Sequence, residues 1–320
     1  MDGLIAAAKK EGALNVIALP PNWANYGEII KGFEAKYGIK ITSDQPDASS
    51  AEEISTAQRL KGQSKAPDVF DLGASVAMAN LAMFAPYQVA TWKDIPDNAK
   101  DPKGVWVYDY AGYMSIGYDS AKVPAPTSLA DLLKPEYKGL IGYLDPASAF
   151  VGYVGAVAIN QARGGSMDNF GPAIDYFKAL KKNDPIVPKQ TSYARVLSGE
   201  IAILLDYDFN AYRAKYKDKA NVEFVIPAEG SVVVPYVMSL VNKGPNAANG
   251  QKALEFILSD EGQAIWANAY LRPVRASAIS KEAQSRFLPA SEYARAKPVD
   301  YAKMATVQKA FSDRYLKDVQ

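Results

Sequence analysis

The feature that most constrains this chain is a recurring grammar: a short apolar run rich in β-branched residues, then a turn signal, then a helix-like stretch. Leu14 to Leu19 (LNVIAL) closes on Pro20-Pro21, and Asp68 to Leu72 (DVFDL) leads into Gly73-Ala74-Ser75. Further runs span Gly139–Leu144, Ile201–Leu205, Val222–Ile226 and Val232–Leu240. Between them lie stretches of helical character: Leu4–Glu11 stopped by Gly12, Ala24–Tyr37 with Ile29, Ile30 and Phe33 at helical spacing, Glu52–Lys61, Ala147–Ala162, 172–182 and Gln251–Leu258. The tail from Ala283 reads as helical and charged. Strands alternating with helices predict an α/β chain with parallel, doubly wound sheets. No repeat of 20–50 residues and no low-complexity tract interrupts the pattern. A length of 320 residues points to two domains.

Composition excludes several chemistries. The chain has no Cys and no His, which removes thiol nucleophiles, thiolate or imidazole metal sites and histidine bases. Lys+Arg 36 against Asp+Glu 35 leaves a net charge of +1, so no basic excess recommends nucleic acid. No apolar run approaches the roughly 20 residues that span a bilayer. There is no Gly-x-Ser-x-Gly elbow and no Gly-rich phosphate loop after the first strand. A carboxylate dyad at Asp206/Asp208 for glycoside hydrolysis is disfavoured, because neighbours on one strand end rarely oppose each other across a substrate. The expectation is no enzyme, no cofactor and no metal. Met1-Asp2-Gly3 runs directly into a helix-like segment and reads as a mature protein lacking its leader.

Several stretches carry a family resemblance. Ala228-Glu229-Gly230-Ser231 after a strand resembles a signature of the extracellular solute-binding proteins of ABC transporters. So do Gly244-Pro245-Asn246-Ala247 leading into Ala253–Gln263 (ALEFILSDEGQ), Arg272-Pro273-Val274-Arg275, and Val196–Ala202 (VLSGEIA). The resemblance implies a two-lobed periplasmic-binding-protein fold of type II, with the ligand in the cleft between the lobes. On that pattern residues 1–108 and 232–275 form lobe 1, 109–231 form lobe 2, and 276–320 are a helical segment packing on the lobes. It also implies a periplasmic monomer that delivers a small molecule to the membrane subunits of an ABC transporter. The hinge would be the strands near 108–111 and 230–234. Within the ferric, polyamine, aminoethylphosphonate and γ-aminobutyrate branch, the chain looks most like γ-aminobutyrate receptors. Ferric members need adjacent tyrosines, and here Ala211 stands where the first of a pair before Tyr212 belongs.

The residues suggest how a zwitterion is held. A buried ammonium must meet a carboxylate, and a buried carboxylate must meet Arg, hydroxyls or a helix N-terminus. Asp206 and Asp208 flank Tyr207 just after the run Ile201–Leu205, and open α/β sheets bind ligands at strand carboxyl ends. Asp208 is the first candidate for the ammonium and Asp206 the second; the competing reading makes one of them a helix cap. For the carboxylate, helix starts at Ala147–Phe150 and Thr191–Arg195 offer backbone N–H groups, with Ser148, Phe150 and Ser192 beside them. Arg195 is a candidate clamp, or else a solvated partner of Glu200 or Asp184; Arg275 is its rival. Arg59, Arg163 and Arg213 read as surface. Trp106, Tyr108 and Tyr110 share one face of a strand, with Asp109 opposite, and are either cleft wall or hinge core. Trp23 after the Pro pair, Tyr212, Ser50 and Ser75 complete the candidates, although short serine pairs such as Ser49-Ser50 are more often helix caps.

Overall fold

A computed structural model describes residues 2–189 and 193–320. The chain divides into two compact units, Met1–Ala111 with Pro235–Phe287, and Gly112–Val234 with Leu288–Gln320. Three crossings therefore join them, at 111/112, 234/235 and 287/288.

The first segment of unit 1 runs α1 (Asp2–Glu11), β1 (Ala13–Ile17), α2 (Tyr26–Tyr37), β2 (Lys40–Asp44), α3 (Ser50–Leu60), β3 (Val69–Gly73), α4 (Ala74–Ala79) and β4 (Phe84–Ala85). Local chemistry sets these bounds. Gly38 ends α2 at φ 67°, a left-handed conformation that glycine adopts without steric cost. Ser49 caps α3 by a reciprocal pair: its hydroxyl accepts from Glu52 N, and the Glu52 carboxylate accepts from Ser49 N at 2.7 Å. The chain leaves unit 1 along β5 (Val107–Asp119).

Unit 2 continues with β6 (Ile141–Tyr143), α5 (Phe150–Ala162), α6 (Gly171–Leu180), α7 (Tyr193–Leu197), β7 (Ile203–Tyr207), α8 (Asp208–Tyr216) and β8 (Val222–Val225). Strand β9 (Ser231–Val241) carries the chain back. Unit 1 is completed by α9 (Ala247–Ile257), α10 (Asp260–Ala267), β10 (Arg272–Pro273) and α11 (Lys281–Arg286). Unit 2 is completed by α12 (Ala290–Tyr293), β11 (Ala296–Lys297) and α13 (Tyr301–Asp318).

The strands do not form the uniformly parallel sheets that the alternation predicts. β1–β2 and β6–β7 are parallel, but β3 and β4 pair antiparallel with β9, and β7 and β8 pair antiparallel with β5. The parallel rule belongs to strands joined by a helical crossover inside one sheet. β5 and β9 instead pass through the crossings, so that rule does not govern them.

Each unit buries its own core. In unit 1 Trp266 is 0% exposed, its indole N–H donating to Ala24 O at 2.9 Å, with Phe33, Phe70 and Phe256 also buried. In unit 2 the last helix is part of the core. Phe311 and Tyr315 of α13 are buried, Tyr153 donates to Met304 O at 2.7 Å, and the hydroxyls of Tyr143 and Tyr315 meet at 3.1 Å. Gly112, the first residue of unit 2, lies under the Phe209 ring, where an added Cβ would meet Cε1 at 2.7 Å.

Candidate functional site

The apolar run read from the sequence as Ile201–Leu205 is strand β7, shifted to Ile203–Tyr207, so Asp206 lies within the strand and Asp208 opens α8. Both acids are buried. Neither caps α8: the cap position is Tyr207, with no side-chain cap bond. The capping reading is corrected, because both carboxylates are used elsewhere. Asp206 Oδ1 accepts from Tyr207 N at 2.7 Å and Oδ2 from Asn210 Nδ2 at 3.0 Å. Burial raises its carboxyl to about 6, and those two donors hold it from rising further. The space beside it, lined by Ser115, Tyr193, Tyr207 and Asn210 among others, is about 20 Å3. That is room for one water, not for a solute.

Asp208 has a different setting. Its Oδ1 accepts from Tyr113 N at 2.9 Å, which brings β5 to the start of α8. Its Oδ2 accepts from the Tyr293 hydroxyl at 3.3 Å. The Tyr293 and Tyr212 hydroxyls are 2.6 Å apart, and Tyr212 accepts from Leu288 N at 2.8 Å. A phenol has one proton. With Tyr293 donating to Asp208, Tyr212 must donate to Tyr293, so the bonds run in one direction from Leu288 N to the acid. The Tyr113 and Tyr293 rings stand 4.6 Å apart at 49°, both half-buried. A buried carboxylate held this way can pair with a cation.

The other expected residues of unit 2 are placed as follows. Phe150 is buried at the start of α5, three residues later than the predicted Ala147. The delay comes from Asp145, whose carboxylate takes Ala147 N at 3.0 Å and the exposed Ser148 hydroxyl at 2.8 Å. Arg195 is half-exposed on α7 and pairs with Glu200, the solvated alternative foreseen for it. Arg213, expected on the surface, is half-buried instead, facing the Tyr193 ring at 5.5 Å and Asp218 at 3.5 Å. Ser192, with Thr191 before it, lies outside the described residues.

In unit 1, Trp23 is half-buried against Tyr26 and Tyr236, with ring centroids at 6.0 and 5.5 Å. Tyr108 is half-buried beside Trp106 at 5.2 Å, and burial raises its hydroxyl pKa. Tyr110 is buried in the core, stacked on Tyr236 at 4.9 Å and 12° and packed on Trp266 at 4.9 Å. Ser50 is buried and accepts from Gly73 N at 3.1 Å, while the cap of α3 is Ser49. Ser75 is buried and its hydroxyl has no protein partner. Arg275 pairs with Asp260 at 2.7 Å and donates to Leu258 O at 3.2 Å.

Tyr113 and Tyr293 were not among the sequence candidates. Tyr113 follows the aromatic series of β5 out of step, and Tyr293 sits in a charged tail, where a lone tyrosine was the only signal. Among the described residues no group of three or more Asp or Glu is placed to hold a metal ion, and no helix is long and apolar enough to cross a membrane.

Comparison with known proteins adds an independent line. A family model described as bacterial extracellular solute-binding protein matches residues 65–307. A candidate 2-aminoethylphosphonate-binding periplasmic protein of Salmonella typhi is 29% identical over 159 residues, 47% of this chain and 46% of that relative, so the chain spans about half its length. The major ferric iron-binding protein of Neisseria gonorrhoeae is 24% identical over 253 residues, 73% of this chain and 72% of the relative. Among solved structures, the periplasmic binding protein AfuA of Actinobacillus pleuropneumoniae, with fructose-6-phosphate bound, superposes with TM-score 0.79 at 20% identity, covering 96% of this chain and 98% of its own. At that identity the likeness establishes the fold, a two-lobed periplasmic binding protein.

Proposed function

The chain belongs to the family of bacterial extracellular solute-binding proteins, and from that premise we propose that it is the periplasmic receptor of an ABC importer for a small zwitterionic amine, γ-aminobutyrate first. The observation that carries this reading is the buried Asp208 carboxylate at the end of β7, bounded by Tyr113, Tyr212 and Tyr293. A carboxylate so placed can take an ammonium group. The aminoethylphosphonate-type relative supports the same class, since its ligand also joins an ammonium to an anion.

Binding on this reading is coupled to movement at the three crossings, and the solute shifts the population only by preferring the closed state. The ligand's anionic end falls to Arg195, Ser148, Ser192 and the start of α5, of which Arg195 must first release Glu200 and Ser148 must release Asp145. Ferric ion is the less favoured reading, because Ala211 precedes Tyr212 where that chemistry wants a second phenolate.

The test is isothermal titration with γ-aminobutyrate, 2-aminoethylphosphonate, putrescine, ferric citrate and fructose-6-phosphate. Saturable heat with the first, without product formation, is the expected result. Binding confined to ferric ion or to the sugar phosphate would remove the amine assignment. Small-angle scattering then asks whether the radius of gyration falls on binding, as closure requires.

A further inference from the structure

Strand β3 presents Asp71 and strand β5 presents Asp109, both in unit 1, with exposures of 5% and 0%. The two carboxyls lie close enough to act on each other electrostatically. The remaining donors can be counted. Tyr26 donates to Asp71 Oδ2 at 2.7 Å, so its single proton is spent, and the Tyr110 hydroxyl 2.7 Å away must donate to Tyr26. Tyr110 N donates to Asp109 Oδ1 at 3.0 Å. Asp71 Oδ1 and Asp109 Oδ2 are left buried with no donor. Two facing carboxylates cannot both stay ionised out of water, and a buried oxygen without a donor is destabilising.

We propose that Asp71 and Asp109 hold one proton between their two otherwise orphaned oxygens, and that this proton fastens β3 to the crossing strand β5. Of the two, Asp109 is the proton's owner and Asp71 its acceptor. Among the described residues, the titratable groups around the pair are Glu53 from α3, which accepts from Asp71 N at 3.4 Å, Tyr26 from α2 and Tyr110 from β5, with Tyr236 of β9 stacked behind Tyr110; none of these is a cation. The fastening sits where both crossing strands are anchored. Asp109 O accepts from Gln263 Nε2 at 3.0 Å and from Val274 N at 3.1 Å, and Tyr236, the second residue after re-entry, stacks on Tyr110.

Burial raises Asp71 to about 7, with Tyr26 and Asp109 opposing the rise. Asp109 is raised further, by burial first and by the Asp71 charge second. Both folded-state values lie above the unfolded value of about 3.9, so the folded chain binds the extra protons. Their stabilisation is complete below about pH 4 and is lost as pH rises, through about 7 for Asp71 and beyond it for Asp109.

Thermal unfolding from about pH 5 to about pH 9 tests the proposal on the whole chain. Tm should fall across neutrality in the wild type. Asp109→Asn supplies a permanent N–H to Asp71 Oδ1 and should roughly halve that fall. A merely structural Asp109 would lower Tm equally at every pH, and an unchanged pH profile in Asp109→Asn overturns the proposal. The wild type gives an independent readout should the variant not fold: infrared or carbon-13 carboxyl signals should show a protonated acid at neutral pH. Both aspartates titrating in the ordinary carboxylate range would refute it.

Discussion

Two tyrosine pairs in this chain end on aspartates, one in each unit, and the two are finished differently. In unit 1 Tyr110 leads to Tyr26 and then Asp71, and a second acid, Asp109, closes the end of the chain of bonds. All four side chains there are buried, and the rings of Tyr26 and Tyr110 pack on Trp266. In unit 2 Tyr212 leads to Tyr293 and then Asp208, and the last acceptor position is filled by a backbone N–H from Tyr113. Tyr293 and Tyr113 remain half-exposed. The same phenol–phenol–carboxylate element thus serves as an anchor when sealed by a second acid, and as a candidate reception point when one wall stays near water.

The largest effect that would sharpen this contrast is Trp266→Ala. Emptying the ceiling of the sealed node should cost about 3–5 kcal/mol in chemical denaturation. Removing the half-exposed Tyr293 ring by alanine should cost clearly less. Equal losses would break the division into anchor and reception point. Next comes Asp208→Asn, expected to weaken γ-aminobutyrate binding tenfold or more, about 2 kcal/mol, in titration calorimetry. Unchanged affinity would move the ammonium elsewhere.

A smaller effect is expected of Tyr293→Phe, which keeps the ring on Tyr113 but removes the bond to Asp208. Amine affinity should drop roughly fivefold, about 1 kcal/mol, with Tm nearly constant. The smallest is a difference in pH response. Asp206, one of the buried acids of unit 2, is raised to about 6, so its stabilisation is present below about pH 4 and lost as pH rises through about 6. Hydrogen exchange resolved by unit should show both units loosening as pH passes about 6, where Asp68 of unit 1 also loses its proton, and unit 1 alone continuing to loosen above neutrality.

The sequence made β7 and its strand-end acids legible because an apolar run followed by Asp-Tyr-Asp is a local signal. The cap of α3 was legible for the same reason, though the serine that caps it is Ser49 and not Ser50. The nodes themselves were not. Tyr26 and Tyr110 are 84 residues apart, and Tyr212 and Tyr293 are 81 apart, so no window of sequence holds either pair. Asp109 was read only as the back of an aromatic face; its burial beside Asp71 depends on β3 and β5 entering one core. The pairing of Arg195 with Glu200 was legible, because the two are five residues apart, whereas Arg275 was recognised as a cation but not as one already engaged, since Asp260 claims it through the fold's geometry.

Neither unit is made from one continuous stretch. Unit 1 lacks β9 and Trp266 until the chain has passed residue 266, and unit 2 lacks α13 until its final turns emerge. A growing polypeptide therefore has no early stopping point at which a finished half can lock. Each half is closed only by residues from the last third of the chain, unit 1 by Pro235–Phe287 and unit 2 by Leu288–Gln320.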